Sequence, residues 1–263
     1  MIATGSDDIG QALASRVADL IVDAANNAPR SQQKRIGPSE VGDPCERKLT
    51  YKMYDWPTVT DGGDPIASIL GTGFHSWMEE AFTGRNTAGR YKIEERVTVR
   101  EGATDDSTLA GSSDLYDRGT GTVFDWKLVG TSTLDNYRRK GPGDQYRKQA
   151  HLYGLGQENA GETPQRVAIV FVARYHELRV HVWTEPYDRQ VALDALERLD
   201  RIRQQLIDLD PEAHPERWSQ IPTSEEAKCR FCPWFKPGST DLSVGCPGVQ
   251  KQPTRSGFES LIA

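Results

Sequence analysis

The chain of 263 residues has no run approaching the 18 consecutive apolar residues that a membrane-spanning helix needs, so no membrane span is expected. Its first residues, MIATGSDDIGQALASRV, lack the basic segment and apolar stretch of a secretory signal, and a cytoplasmic chain is expected. Internal repeats and low-complexity blocks are absent as well. So is an excess of positive charge, because 32 Lys and Arg stand against 38 Asp and Glu for a net charge of −6. That balance excludes a protein that coats duplex nucleic acid through its overall charge, while leaving room for a local basic groove. Cysteine is scarce, with four residues, which in a reducing compartment are better suited to ligating a metal than to forming disulfides. With 37% hydrophobic and 27% charged residues, the chain can bury one good core.

Apolar periodicity predicts a helix over 7–25, with Ile9, Leu13, Val17, Leu20 and Ile21 on one stripe and Ser6 as its cap. Residues 26–42 read as a connection, and a short helix follows Pro44. Asp64-Pro65 opens a helix from Ile66 to Phe82. The period then changes to two, giving strands near 92–99, 108–117 and 121–129. A helix over 144–156, strands over 166–175 and 178–184, and an amphipathic helix over 188–209 complete the order. The tail from 211 to 263 reads as irregular structure that buries little apolar surface of its own and is held by something other than a core. This order implies an α/β sheet with flanking helices.

The segment from Gly111 to Val129 carries the strongest chemical signal. A turn centred on Gly119-Thr120 places Asp114 directly opposite Asp125, with Cβ atoms about 5 Å apart. Lys127 shares their face, while Phe124, Trp126 and Leu128 take the other. Facing carboxylates repel unless a cation lies between them, and Mg²⁺ or Mn²⁺ suits carboxylate and backbone oxygens, the carbonyl of Trp126 among them. Lys127 would then orient a metal-activated water or stabilise charge on a phosphate. An Asp–Lys pair on a solvated hairpin is the plain alternative. His75 and Glu79 lie four apart on a helix and could both reach a metal, and Gln149 and Tyr153 form a second such pair.

Cys229-Arg-Phe-Cys232 has the spacing for one metal centre, and Cys246 and Cys45 bring the ligand count to four. Zinc and a [4Fe–4S] cluster both accept four thiolates, and chemistry alone favours zinc as the commoner structural ion. Either would clamp the N-terminal segment to the C-terminal one.

Gly71-x-x-x-His75, Asp114, Asp125-Trp-Lys127 and Gln149-x-x-x-Tyr153, in that order, resemble the iron–sulfur, RecB-like branch of the PD-(D/E)XK nuclease superfamily. The branch holds AddB-type nuclease domains, CRISPR-adaptation exonucleases and phage exonucleases, and the resemblance runs from about Cys45 to Cys246. It implies a restriction-endonuclease-like mixed sheet flanked by helices, in a single nuclease domain over 1–263. The core would span about 64–209, with 1–63 and 210–263 forming a cluster-bound layer. It implies catalytic roles for His75, Asp114, Asp125, Lys127, Gln149 and Tyr153, with His75, Asp114, Asp125 and the Trp126 carbonyl on Mg²⁺ or Mn²⁺. Cys45, Cys229, Cys232 and Cys246 would hold a [4Fe–4S] cluster. The thirteen-residue gap before Cys246 is longer than the family's, and structural Zn²⁺ stands as the alternative. The implied activity is DNA exonuclease action in recombination, repair or DNA processing, in the host cytoplasm if the chain is phage-encoded. A helicase or recombination protein would be a separate partner. The alternatives are a DNA-end-binding module with little turnover and a structure-selective endonuclease.

Between Asn136 and Ala150, the cations Arg138, Arg139, Lys140, Arg147 and Lys148 face one acid, Asp144, with Tyr137 and Tyr146 among them. Interleaved aromatic and basic residues suit a single strand, so DNA with a single-stranded or frayed end is the expected partner at the mouth of the site.

Overall fold

The apolar run of RVAIVFVA, residues 166–173, is the key to the architecture, because a strand apolar on both sides must be covered on both faces. The computed structural model describes residues 8–29, 31–59, 64–104, 107–175 and 177–249. In order these form α1 (Asp8–Asn26), α2 (Pro38–Val41), α3 (Glu46–Met53), α4 (Ile66–Thr83), β1 (Tyr91–Arg100), β2 (Leu109–Asp117) and β3 (Thr122–Val129). Then come α5 (Thr131–Lys140), α6 (Asp144–Asn159), β4 (Arg166–Ala173), β5 (Val180–Pro186) and α7 (Arg189–Leu209).

The five strands lie in the order β1-β2-β3-β4-β5. β3 and β4 run parallel, joined through α5 and α6, and the other neighbours are antiparallel. This is the mixed α/β sheet flanked by helices that the sequence implies. Val123, Val129, Ile169 and Phe171 pack with Ala150 and Tyr153 of α6 on one face. Leu115, Trp126, Val170 and Val172 pack with Phe74, Met78 and Phe82 of α4 on the other, where Trp126 stacks on Phe82 at 5.6 Å. α7 adds Ala192, Ala195, Leu196 and Leu199 beside Leu152 and Leu155. The caps are local: Asp64 Oδ1 accepts the Ile66 N–H, and Asp188 accepts that of Gln190.

Several expectations change. α2 stands inside the presumed 26–42 connection, and α5 occupies a stretch where no element is expected. α5 buries only Leu134 and Tyr137, too few apolar residues to write a helical period into the sequence. The helix over 7–25 is present as α1, but its stripe of Ile9, Leu13, Val17, Leu20 and Ile21 is exposed, and Ser6 lies outside the described residues. The tail is not coreless. Trp218, Ile221 and Trp234 are buried with Tyr51, and Tyr54 and Trp56 pack against them. Tyr51 stacks on Trp218 at 4.3 Å and on Trp234 at 5.5 Å. These rings come from two distant stretches of chain, so no periodicity announces them.

Candidate active site

A kink in two strands sets the site geometry. The β1–β2 pairing passes from Ile93↔Leu115 to Glu95↔Ser113, leaving Glu94 and Asp114 out of the ladder. Glu94 has φ +46°, a strained conformation for a non-glycine residue in a strand. Lys92 and Glu95, three apart, meet in an ion pair at 2.7 Å, which a regular strand with its alternating faces would prevent. The reversal turns Glu94 and Asp114 toward His75 of α4. His75 Nδ1 lies 3.4 Å from Asp114 Oδ1 and 3.5 Å from Glu94 Oε1. Donor atoms of all three residues fall within 4.8 Å of one another. Glu79, the expected partner of His75, is exposed instead, because α4 turns that position to solvent.

The β2–β3 register follows the turn as expected through Leu115↔Phe124 and stops there. Asp114 therefore does not face Asp125 across a ladder, and its Oδ2 accepts the N–H of Trp126 at 2.6 Å. Asp125 is buried. Its Oδ1 accepts from Gln149 Nε2 at 2.7 Å, and its Oδ2 lies 2.5 Å from Lys127 Nζ. Lys127 Nζ also stands 5.1 Å from the ring centroid of Tyr146. His75 thus arrives from α4 on one side of the sheet, Tyr146 and Gln149 from α6 on the other, with Asp114 between them. Tyr153 packs in the core with its hydroxyl beside Gly111, where a Cβ would stand 3.3 Å from that oxygen and 2.9 Å from Pro38 Cδ.

The electrostatics suit a cation. Burial disfavours charge on His75, but hydrogen bonding to Asp114 and Glu94 outweighs it and pushes the imidazole up to about 9. Burial pushes the Asp125 carboxyl up, Lys127 pulls it back, and the charge of Asp114 adds to the rise. Burial and the charge of Asp125 push the Tyr146 phenol up. Glu94 Oε1 and Asp125 Oδ2 are buried, the first 3.5 Å from His75 Nδ1 and the second 2.5 Å from Lys127 Nζ. Hard oxygen and nitrogen donors with spare lone pairs fit Mg²⁺ or Mn²⁺. Glu94 is the residue that sequence reasoning missed. Its one signal is the adjacent pair Glu94-Glu95, which breaks the alternation of YKIEERVTVR.

The four cysteines line one cavity of about 760 Å³, together with Lys48, Tyr51, Tyr137 and Tyr146. Among the described residues no three of their sulfurs lie within 4.8 Å of one another. All four thiols open onto the same space, the arrangement that one four-thiolate centre needs. The walls are tied by Tyr51 Oη donating to the Leu242 carbonyl at 2.5 Å and Trp234 Nε1 to that of Trp56 at 2.9 Å. Burial pushes the Cys45 thiol up, and that of Cys232 to about 11.

Of the basic segment, Arg138, Arg139 and Lys140 are exposed on the last turn of α5. Arg147 is turned to Glu185 at 2.6 Å, and Lys148 to Asp144 at 3.0 Å. Tyr137 is buried, stacked on Phe171 at 4.4 Å, so its ring is not offered to a base as expected.

No protein-family model matches the chain, and no curated protein matches it. Among solved structures it is similar to SSO0001, at 14% identity and a TM-score of 0.49 over 83% of this chain and 94% of that one. It is similar to an alkaline exonuclease from Laribacter hongkongensis, at 13% identity and a TM-score of 0.46 over 70% and 96%. It is also similar to a phage-related exonuclease from Haemophilus somnus 129PT, at 14% identity and a TM-score of 0.44 over 66% and 95%.

Proposed function

We propose that this chain is a divalent-metal-dependent deoxyribonuclease of PD-(D/E)XK type, an exonuclease that hydrolyses phosphodiester bonds from single-stranded or frayed ends. The observation that carries the reading is the convergence of His75, Glu94 and Asp114 beside the buried pair Asp125 and Lys127. His75, Glu94, Asp114, Asp125 and the Trp126 carbonyl would hold Mg²⁺ or Mn²⁺. When bound there, the ion supplies a Lewis acid and lowers the pKa of a water ligand. Lys127 positions the attacking water or meets charge on the phosphate. Its ammonium is held between Asp125 and the Tyr146 ring, so it is oriented before substrate arrives. Gln149 fixes the Asp125 carboxylate, and Tyr153 braces α6 against β2.

Arg138, Arg139 and Lys140 are exposed and can meet phosphates, while Arg147 and Lys148 would have to leave Glu185 and Asp144 to join them. Phe231, 77% exposed with the Arg230 guanidinium over its ring, offers the base-stacking face that Tyr137 does not. Cys45, Cys229, Cys232 and Cys246 would hold a [4Fe–4S] cluster, with Zn²⁺ the alternative, and the described residues of 1–63 and 210–263 would form a layer around a core over about 64–209.

Digestion of end-labelled linear and circular DNA, single- and double-stranded, with Mn²⁺ tests the reading. Mononucleotides or short products from linear single strands, with circles intact, are expected. Cutting of circles would make the protein an endonuclease, and retarded but uncut DNA would make it a binder. Iron and acid-labile sulfide in stoichiometric amounts are expected in the same preparation, and stoichiometric zinc would overturn the cluster.

A further inference from the structure

Arg47, on α3, is only 9% exposed, and its guanidinium is always charged. Its Nε and Nη2 donate to one acceptor, the Ile221 carbonyl, at 3.0 and 2.7 Å, and its Nη1 donates to Cys246 Sγ at 3.6 Å. No carboxylate pairs with it among the described residues. The neighbouring cation is arranged differently. Lys48 Nζ lies 2.6 Å from Asp43 Oδ2, and Asp43 Oδ1 accepts the Cys45 N–H at 2.9 Å. Lys48 is thus neutralised locally, whereas Arg47 is a buried cation facing a carbonyl and a sulfur. A buried charge without an opposite charge is strongly disfavoured. A centre held by four thiolates is anionic, and it stands where that opposite charge is needed.

We infer that Arg47 sets the reduction potential of the four-cysteine centre, as its buried counter-charge and as an N–H···S donor to Cys246. This rests on the cluster reading above. Reduction adds one electron and makes the centre more negative, so a fixed cation and a hydrogen bond to a ligating sulfur stabilise the reduced form more and raise the potential. The two remaining donors of the fork hold the cation in register with Cys246 through Ile221, a grip that the single ammonium of lysine cannot reproduce.

The test is a potentiometric titration with dithionite of the full-length protein as isolated, followed by electron paramagnetic resonance. Wild type would be compared with Arg47→Gln, Arg47→Lys and Arg230→Gln, the last removing an exposed cation beside Cys229. In Arg47→Gln with its iron retained, the oxidised-to-reduced ratio at the wild-type midpoint should rise at least tenfold, a fall of 59 mV for one electron. Arg47→Lys should fall less, and Arg230→Gln should match wild type. An unchanged potential in iron-replete Arg47→Gln, or an equal fall in Arg230→Gln, would overturn the inference. Should Arg47→Gln fail to fold, Arg47→Lys decides: a lowered midpoint supports the role, and a wild-type midpoint refutes it. A colourless, iron-free wild type would remove the cluster reading itself, before any variant is made.

Discussion

At the kinked edge of the sheet the donors are oxygen and nitrogen atoms, while in the cavity beside α3 they are sulfurs. The first set sits on α4, β1, β2 and β3, elements fixed by a sheet packed on both faces. Its carboxylates are held by the protein itself, Asp114 by the Trp126 amide and Asp125 by Gln149 and Lys127. The second set sits at the start of a short helix and on the irregular tail, walled by stacked aromatic rings. Its thiols are spread around an open cavity, with a cation, Arg47, turned toward one of them. A site on a sheet can keep its shape while its ion comes and goes. A site on coil depends on its centre for shape, so that binding there is folding energy.

The sharpest way to break this comparison is to exchange the two kinds of damage. Asp114→Asn keeps an acceptor for the Trp126 amide but removes the charge, so hydrolysis should fall to background with little change in melting temperature. Cys45→Ser should do the reverse in rank, lowering the melting temperature far more than any substitution at the carboxylates. A calorimetric scan beside a turnover assay reads both, and a stable, active Cys45→Ser protein would erase the distinction.

Within the sheet site, Lys127→Ala should cost about 10²–10³ in rate, the scale for losing one charge-stabilising group. Gln149→Ala removes only the brace on Asp125 and should cost ~10–100-fold in metal affinity or activity. Single-turnover rates across a Mn²⁺ titration separate the two, because only the second should recover at high metal.

How much of this arrangement is legible in the sequence differs by region. The β2–β3 register as far as Leu115↔Phe124 follows from strand alternation and the turn, both local, but its extension to Asp114 and Asp125 fails because the ladder ends there. Glu94 is hidden because the kink that recruits it breaks the very alternation used to read the strand. The count of four cysteines points to one centre, but the aromatic core around it does not show, since Tyr51 and Trp218 are neighbours only after folding. α5 escapes for a simpler reason, a helix with two buried residues having no stripe to detect.

The metal-free sheet site should also declare itself through pH. His75 is held protonated up to about 9, well above its ordinary value of ~6.5, so the stability it adds is complete below 6.5 and disappears as pH rises through 9. Asp125, raised by burial, adds the same sign at lower pH, because its neutral form is the one the fold favours. Melting with chelator present should therefore fall from pH 6.5 to 9. The fall should flatten in His75→Gln, and stabilisation by Mn²⁺ should grow over the same range because the ion needs neutral imidazole. The smallest effect belongs to the surface. Replacing Arg138, Arg139 and Lys140 together by Ala should leave the fold intact and flatten the salt dependence of single-strand binding, by roughly 0.7 for each phosphate that is no longer neutralised.

The central claim is that the kinked edge of the sheet is a hydrolytic metal site, and Asp125→Ala tests it most directly. The variant should melt somewhat lower than wild type, because Gln149 and Lys127 lose their acceptor, yet stay folded at the assay temperature and release no nucleotides from end-labelled single-stranded DNA with Mn²⁺ under conditions where wild type digests it. A folded Asp125→Ala protein that digests the DNA at the wild-type rate would contradict the account.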